Sequence, residues 1–116
     1  MLTPFHLAIH VTDLAEAHVL ALKHLLAGGD SRAVNLGTGR GYSVGEVIAE
    51  AARVTGKPVP HETAPRRAGD PPELVADPTA ARDWLGQDLT PRSSLADILQ
   101  TAWTWQTSGT YARAFR

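Results

Sequence analysis

Arg66-Arg67-Ala68-Gly69-Asp70 holds the densest polar chemistry in the chain. A guanidinium matches a phosphate group bidentately, and the Asp70 carboxylate, three residues after Arg67, could accept from a sugar hydroxyl. The same spacing suits a solvated surface turn, so the residues alone leave both readings open. Gly37-Thr38-Gly39-Arg40-Gly41 is the second place to look, because a glycine loop leading into a helix can cradle phosphate. A dinucleotide fingerprint requires Gly-x-Gly-x-x-Gly. Gly37 and Gly39 fit, but Tyr42 occupies the third glycine position. The place for a ribose-binding acid offers only His61-Glu62 on a proline-flanked segment. A Walker loop fails as well, for want of Gly-Lys-Ser/Thr. This loop therefore reads as a sharp turn from strand to helix.

Histidine and serine offer less. His6 and His10 are four apart but share no clear helix. His18 and His24 share one, yet a six-residue spacing points them differently, and His61 is isolated. Cysteine is absent, and so is His-Glu-x-x-His; no metal site is expected. His10, between Ile9 and Val11, reads as a packed histidine, and the others as interfacial or exposed. No serine sits in a Gly-x-Ser-x-Gly elbow. Ser43, Ser93 and Ser94 read as helix caps.

The elements that would position these residues follow from periodicity. Ile9-His10-Val11 is a brief strand or the lead-in to a helix. Thr12 is the expected N-cap, with Asp13 and Glu16 where the helix dipole favours negative charge. Leu14, Ala17, Ala21 and Leu25, together with Ala15, Val19, Leu22 and Leu26, make a stripe wide enough to be buried on more than one side. Gly28-Gly29 ends that helix. Residues 33–36 are a strand candidate. Ser43 and Glu46 form a capping box for a helix ending at Gly56. Residues 57–63 alternate, but Pro58 and Pro60 confine them to an edge strand or extended segment. Residues 64–76 are loop-like. Asp77 and Pro78 open a third helix ending at Gly86, Ser94 opens a fourth, and the tail after Thr107 is expected to fray. Four helices with two or three short strands make an α/β chain whose sheet is too small to stand alone.

Composition narrows the function classes. The 116 residues are 43% hydrophobic and 20% charged, as in a globular domain. A net charge of -1 and no basic stripe argue against nucleic acid. No apolar run is long enough to span a membrane, and residues 1–6 lack the regions of a signal peptide. A cytoplasmic location is the expectation.

Several segments, in order, resemble the extended short-chain dehydrogenase/reductase family, in its NAD-dependent epimerase/dehydratase branch. They are Ile9-His10-Val11-Thr12-Asp13-Leu14-Ala15-Glu16-Ala17-His18, Asn35-Leu36-Gly37-Thr38-Gly39, Tyr42-Ser43-Val44, the loop from Ala64 to Pro72, Ala76-Asp77-Pro78, and Trp103-Thr104-Trp105. The resemblance runs over residues 9–106 and implies a partial fold. Residues 1–116 would be the C-terminal substrate-binding portion of an extended Rossmann-type protein, without its N-terminal NAD-binding Rossmann half. By resemblance, NAD and the catalytic Tyr-x-x-x-Lys pair belong to that half. Neither Tyr42 nor Tyr111 is followed by lysine at the fourth position, so no catalytic residue and no bound cofactor are expected here.

What the resemblance leaves to this chain is part of a UDP-sugar pocket. It implies Arg67 on the UDP diphosphate, Asp70 on the ribose, and Leu74 near the sugar, where it influences substrate breadth. The family usually carries Arg-Asp-Tyr where this chain has His6-Leu7-Ala8, which removes one phosphate clamp and implies weak UDP-sugar binding. The implied parent reaction is NAD-dependent inversion at the sugar's C4 through a 4-keto intermediate, with this chain inactive alone. Alternatives are a fragment of a related dehydratase or reductase, or a non-enzymatic protein that self-associates. Residues 33–36 would join the sheet of the other half, and the first helix would pack between the halves. Such a chain is expected to form a homo-oligomer or to associate through a bared apolar face.

Overall fold

The computed structural model describes residues 5–114. The expectation that residues 1–6 form no signal peptide falls in part on residues 1–4, and those for the side chains of His6 and Tyr111 fall wholly, outside what is described. The first strand, β1 (Phe5–Leu7), leads through Ile9 into α1 (Val11–Leu26). Ile9-His10-Val11 is thus a lead-in. His10 caps α1 in place of Thr12, since its Nδ1 stands where an asparagine oxygen would and accepts the Thr12 amide at 3.0 Å. The helix ends in a Schellman turn. The Gly28 amide donates to Leu25 O and the Gly29 amide to His24 O, both at 3.0 Å. Gly28 sits at φ +89°, and a Cβ on Gly29 would come within 2.1 Å of His24 Nε2.

The chain then forms β2 (Gly41–Ser43), α2 (Val44–Thr55), β3 (Glu73–Leu74), α3 (Thr79–Leu85), α4 (Leu95–Thr107) and α5 (Gly109–Ala114). The sheet runs β2-β1-β3, with β1 antiparallel to β2 and parallel to β3. This is the expected α/β partial fold, but its strands lie elsewhere than expected. Residues 33–36 form no strand; they pair with none of the described strands, and Val34 and Leu36 pack instead against the core. A strand exists only through its ladder. Residues 57–63 form none either, Pro58 and Pro60 having no amide to donate. The tail after Thr107 carries α5 where fraying was expected. Pro78 precedes α3 as its N-cap residue, while Asp77 does the hydrogen bonding, its Oδ1 accepting from the Thr79 amide at 3.0 Å and from the Thr79 hydroxyl at 2.6 Å. Those two bonds, the hydroxyl's the larger, hold its carboxyl below the usual range.

Ser43 and Glu46 form the expected box, at 3.1 and 2.7 Å, and Ser94 caps α4. Ser93 is no cap. It is buried, its hydroxyl donates to Asp13 Oδ2 at 2.5 Å, and it accepts the His10 amide at 2.9 Å. Asp13 Oδ2 also accepts the Arg92 amide at 2.9 Å, and the Arg92 guanidinium lies 3.5 Å from Oδ1 and 3.0 Å from Glu16. The His10 ring completes the latch. Its Nδ1 is an acceptor, so Nε2 carries the proton donated to Thr101 on α4, 2.7 Å away. A residue read as a dipole partner is therefore the buried centre of a network joining the start of α1, the loop before α4, and α4 itself.

The apolar core is small. Ala17, Ala81 and Leu89 are buried, with Leu20, Val34, Leu36 and Leu85 around them. Helices α2 and α4 pack together separately, with Lys57 over the Trp103 ring at 5.4 Å. The radius of gyration is 17.1 Å, against about 13 Å for a compact chain of this length. No helix among the described residues is long and apolar enough to cross a membrane.

Two predictions follow from these contacts. Gly28→Ala forces an L side chain into the left-handed region and should cost about 1 kcal/mol; Gly29→Ala should cost more, because the His24 ring must move. Thermal unfolding followed by circular dichroism orders the two. Asp13→Ala leaves the Ser93 hydroxyl and Arg92 amide without their acceptor and should cost about 2–4 kcal/mol by urea unfolding, with Asp13→Asn between it and the parent chain.

Candidate functional site

The loop that holds the two arginines is exposed from residue 61 to residue 69. Its shape comes from a turn at Gly69, φ +87°, whose ends are tied by the Asp70 amide donating to Arg67 O at 3.4 Å. That turn brings Arg67 and Asp70 together, with Arg67 Nε donating to Asp70 Oδ2 at 3.0 Å. Arg66 Nη2 donates to the Asp70 carbonyl at 3.4 Å. The Arg67 side chain is 86% exposed, so a ligand in solution can reach its guanidinium. Both guanidiniums thus converge on Asp70, Arg67 at its carboxylate and Arg66 at its backbone carbonyl, on an exposed loop.

Three residues further on, β3 fixes where this loop enters the sheet. Leu74 is paired in register with His6, and His6 with Tyr42 on the other side. Tyr42 and Leu74 therefore occupy one row of the sheet, with His6 between them. Arg40 lies over the Tyr42 ring at 5.0 Å, at the Leu7 end of the sheet, whereas the arginine loop enters β3 at the Phe5 end. Leu74 is 57% exposed. The arrangement can offer guanidinium to phosphate, carboxylate to hydroxyl and an apolar side chain beside them.

The glycine loop does not present dinucleotide geometry. Its backbone runs directly into β2, and the first turn of α2 is closed by its own side chains. Ser43 takes the Glu46 amide, and the Glu46 carboxylate stands where an anion would have to sit. The residues present do not fit NAD. Nor do His10, Ser93 and Asp13 make a nucleophilic triad, because the His10 ring faces Thr101 and Ser93 reaches His10 at its backbone amide, not its ring. Their pairing across some 80 positions of chain left no local signal to read.

Two apolar hollows lie away from the arginines. One, of about 400 Å³, is bounded by α1, residues 31–36 and α3, with Trp84 edge-on to His24 at 4.7 Å. The other, of about 510 Å³, lies between the start of α1 and α4, beside Trp105. Neither gathers the polar groups that orient a substrate.

With this geometry in hand, known proteins locate the chain. No protein-family model matches it. It is 49% identical over 98 residues to a UDP-glucose 4-epimerase of Halalkalibacterium halodurans, a match covering 84% of this chain and 29% of that protein. The crystal structure of a Brucella ovis UDP-glucose 4-epimerase in complex with NAD superposes with TM-score 0.81 at 52% identity, covering 85% of this chain and 30% of the other. A Bifidobacterium longum UDP-glucose 4-epimerase in complex with NAD+ and UDP gives TM-score 0.78 at 36% identity, covering 93% and 31%. The chain spans less than a third of the length of these relatives, and the part it matches is their C-terminal portion.

Proposed function

We propose that this chain, homologous to the C-terminal portion of UDP-glucose 4-epimerases, supplies one wall of a UDP-sugar pocket and has no epimerase activity by itself. The observation that carries the reading is the pairing of Arg67 and Asp70 on an exposed loop, within a stretch that matches proteins of this name over most of its length. Arg67 holds the diphosphate, exchanging its Asp70 partner for phosphate oxygens. Asp70, released, accepts from a ribose hydroxyl. Leu74 stands beside the sugar and limits what the pocket admits. The parent reaction is an NAD-dependent interconversion of UDP-glucose and UDP-galactose. Its hydride transfer belongs to NAD, which this chain does not bind; Tyr42 and Tyr111 each lack a lysine at the fourth following position.

The α1 face left uncovered favours association with the half that carries NAD. Residues 33–36, unpaired here, are the backbone that such a half can extend as sheet. A soluble, cytoplasmic setting in sugar-nucleotide metabolism accords with this reading.

Titration calorimetry with UDP tests the pocket. The intact chain should bind weakly, and Arg67→Ala should lose about tenfold or more in affinity, the equivalent of one charge-assisted hydrogen bond. A UDP-binding chain unaffected by Arg67→Ala overturns the site. Incubation with UDP-galactose and NAD should yield no UDP-glucose; measurable epimerisation would overturn the need for a second half.

A further inference from the structure

We propose that Asp70 is a built-in competitor on the arginine loop. It makes the loop favour an anion that shares its molecule with a hydroxyl, as in a sugar phosphate ester, over bare phosphate or pyrophosphate. This specificity rests on the reading of Arg67 as a phosphate-binding residue.

The two partners of the ion pair are held unequally. The Arg67 side chain is 86% exposed and that of Asp70 37%. Of residues 61–70, Asp70 alone is partly buried. Its amide donates to Arg67 O, and its carbonyl accepts from Arg66 Nη2, both at 3.4 Å. Pro71 steers its backbone away from the helical region. Pro71 and Pro72 then carry it, through two fixed φ angles, to Glu73, which pairs with Phe5. The carboxylate is the anchored partner, and the guanidinium is the one that swings.

Charge sets the cost of an incoming anion. From Glu62 to Glu73 the chain carries two guanidiniums, Arg66 and Arg67, against three carboxylates, Glu62, Asp70 and Glu73. A bare anion therefore meets no excess of positive charge. On the Nε edge of Arg67 it must take the place that Asp70 Oδ2 holds at 3.0 Å. On the outer edge it must share one positive charge with Asp70. Either way an anchored carboxylate stands beside it, like-charged and weakened in its own bonding. A ligand that also carries a hydroxyl gives that carboxylate a donor in exchange, and a hydrogen bond to a charged acceptor is stronger than one to a neutral acceptor. Recognition of the phosphate and of the hydroxyl is thus coupled through one side chain.

The probes are pyrophosphate, UDP, and the UDP analogue whose ribose lacks both hydroxyls. Each is titrated against the full isotope-labelled chain and followed by magnetic resonance at the Arg67 Nε–H. The parent chain should bind UDP about tenfold more tightly than the analogue. Asp70→Ala should tighten pyrophosphate and the analogue about two- to fivefold, the measure of an exposed ion pair. It should also bring UDP and the analogue within about twofold of each other. Asp70→Asn keeps the shape and an accepting oxygen without the charge, and should tighten pyrophosphate as well. The circular dichroism of both variants should stay unchanged. A parent chain that binds UDP and the analogue equally overturns the proposal, and so does pyrophosphate binding that neither variant tightens. If UDP binds, Arg67→Ala weakens it and the Asp70 variants leave pyrophosphate unchanged, the competitor falls and the pocket stands. If no probe moves the Arg67 resonance in the parent chain or in either variant, both fall.

Discussion

Helix α1 carries apolar residues on two opposite faces, and the rest of the chain covers only one of them. Ala17 and Leu20 meet α3, Val34, Leu36 and Leu89, while Val11, Val19, Leu22 and Leu26 face outward. A helix with apolar residues on two opposite faces has more apolar surface than one layer of partners can cover. Among the described residues the buried core contains one large apolar side chain, Leu89, beside two alanines, and a buried leucine is worth about 1.5–3 kcal/mol. That is little against the entropy of ordering a chain of this length. The expanded radius of gyration and the thin core are one fact seen twice.

The buried polar latch matters more in such a molecule than it would in a well-packed domain. Asp13, His10, Ser93 and Thr101 hold the start of α1 to the loop before α4 and to α4 itself. Charge-assisted bonds to a buried carboxylate are among the stronger polar contacts a protein makes. Arg92 serves two carboxylates at once, and its bond to Glu16, the larger influence, pushes its pKa up, with Asp13 adding to the effect. The latch is directional where the core is not. It fixes how α1 and α4 sit relative to each other with few apolar contacts to help.

Legibility in the sequence followed locality. Caps read from neighbouring residues stand in the structure: the Ser43–Glu46 box, Ser94 with Asp97, and the glycines at 56 and 86. The Gly28-Gly29 stop stands as a complete Schellman turn. His10 was legible as a packed residue, though not as a cap, because an imidazole nitrogen mimicking an asparagine oxygen has no pattern of its own. Residues 33–36 looked like a strand because their composition suits a ladder, but composition cannot say whether a partner exists; of the two readings of 57–63, edge strand or extended segment, the structure shows no strand. Conversely β1 and β3 were missed, being two or three residues long and defined by pairings across the chain. Arg67 and Asp70 were legible as a pair because a three-residue spacing around a glycine turn is local. Ser93 was misread because its partners come from the other end of the chain.

The same locality governs how the arginine loop can act. Within the loop the ties are an exposed ion pair, a long backbone bond and a long bond from Arg66 to the Asp70 carbonyl, and exposed ion pairs contribute about 1 kcal/mol or less. A ligand phosphate can displace Asp70 from Arg67 at small cost, since one charged partner replaces another. The position of the loop is set from outside it. Glu73 and Leu74 are held by β1, and β1 leads within three residues to the His10 amide bonded to Ser93. The latch and the loop are thus connected through one short strand. A soft loop before a firmly anchored strand allows the arginine to exchange partners without shifting β3, and placing that anchor is the work of a carboxylate sixty residues from Glu73 in the chain.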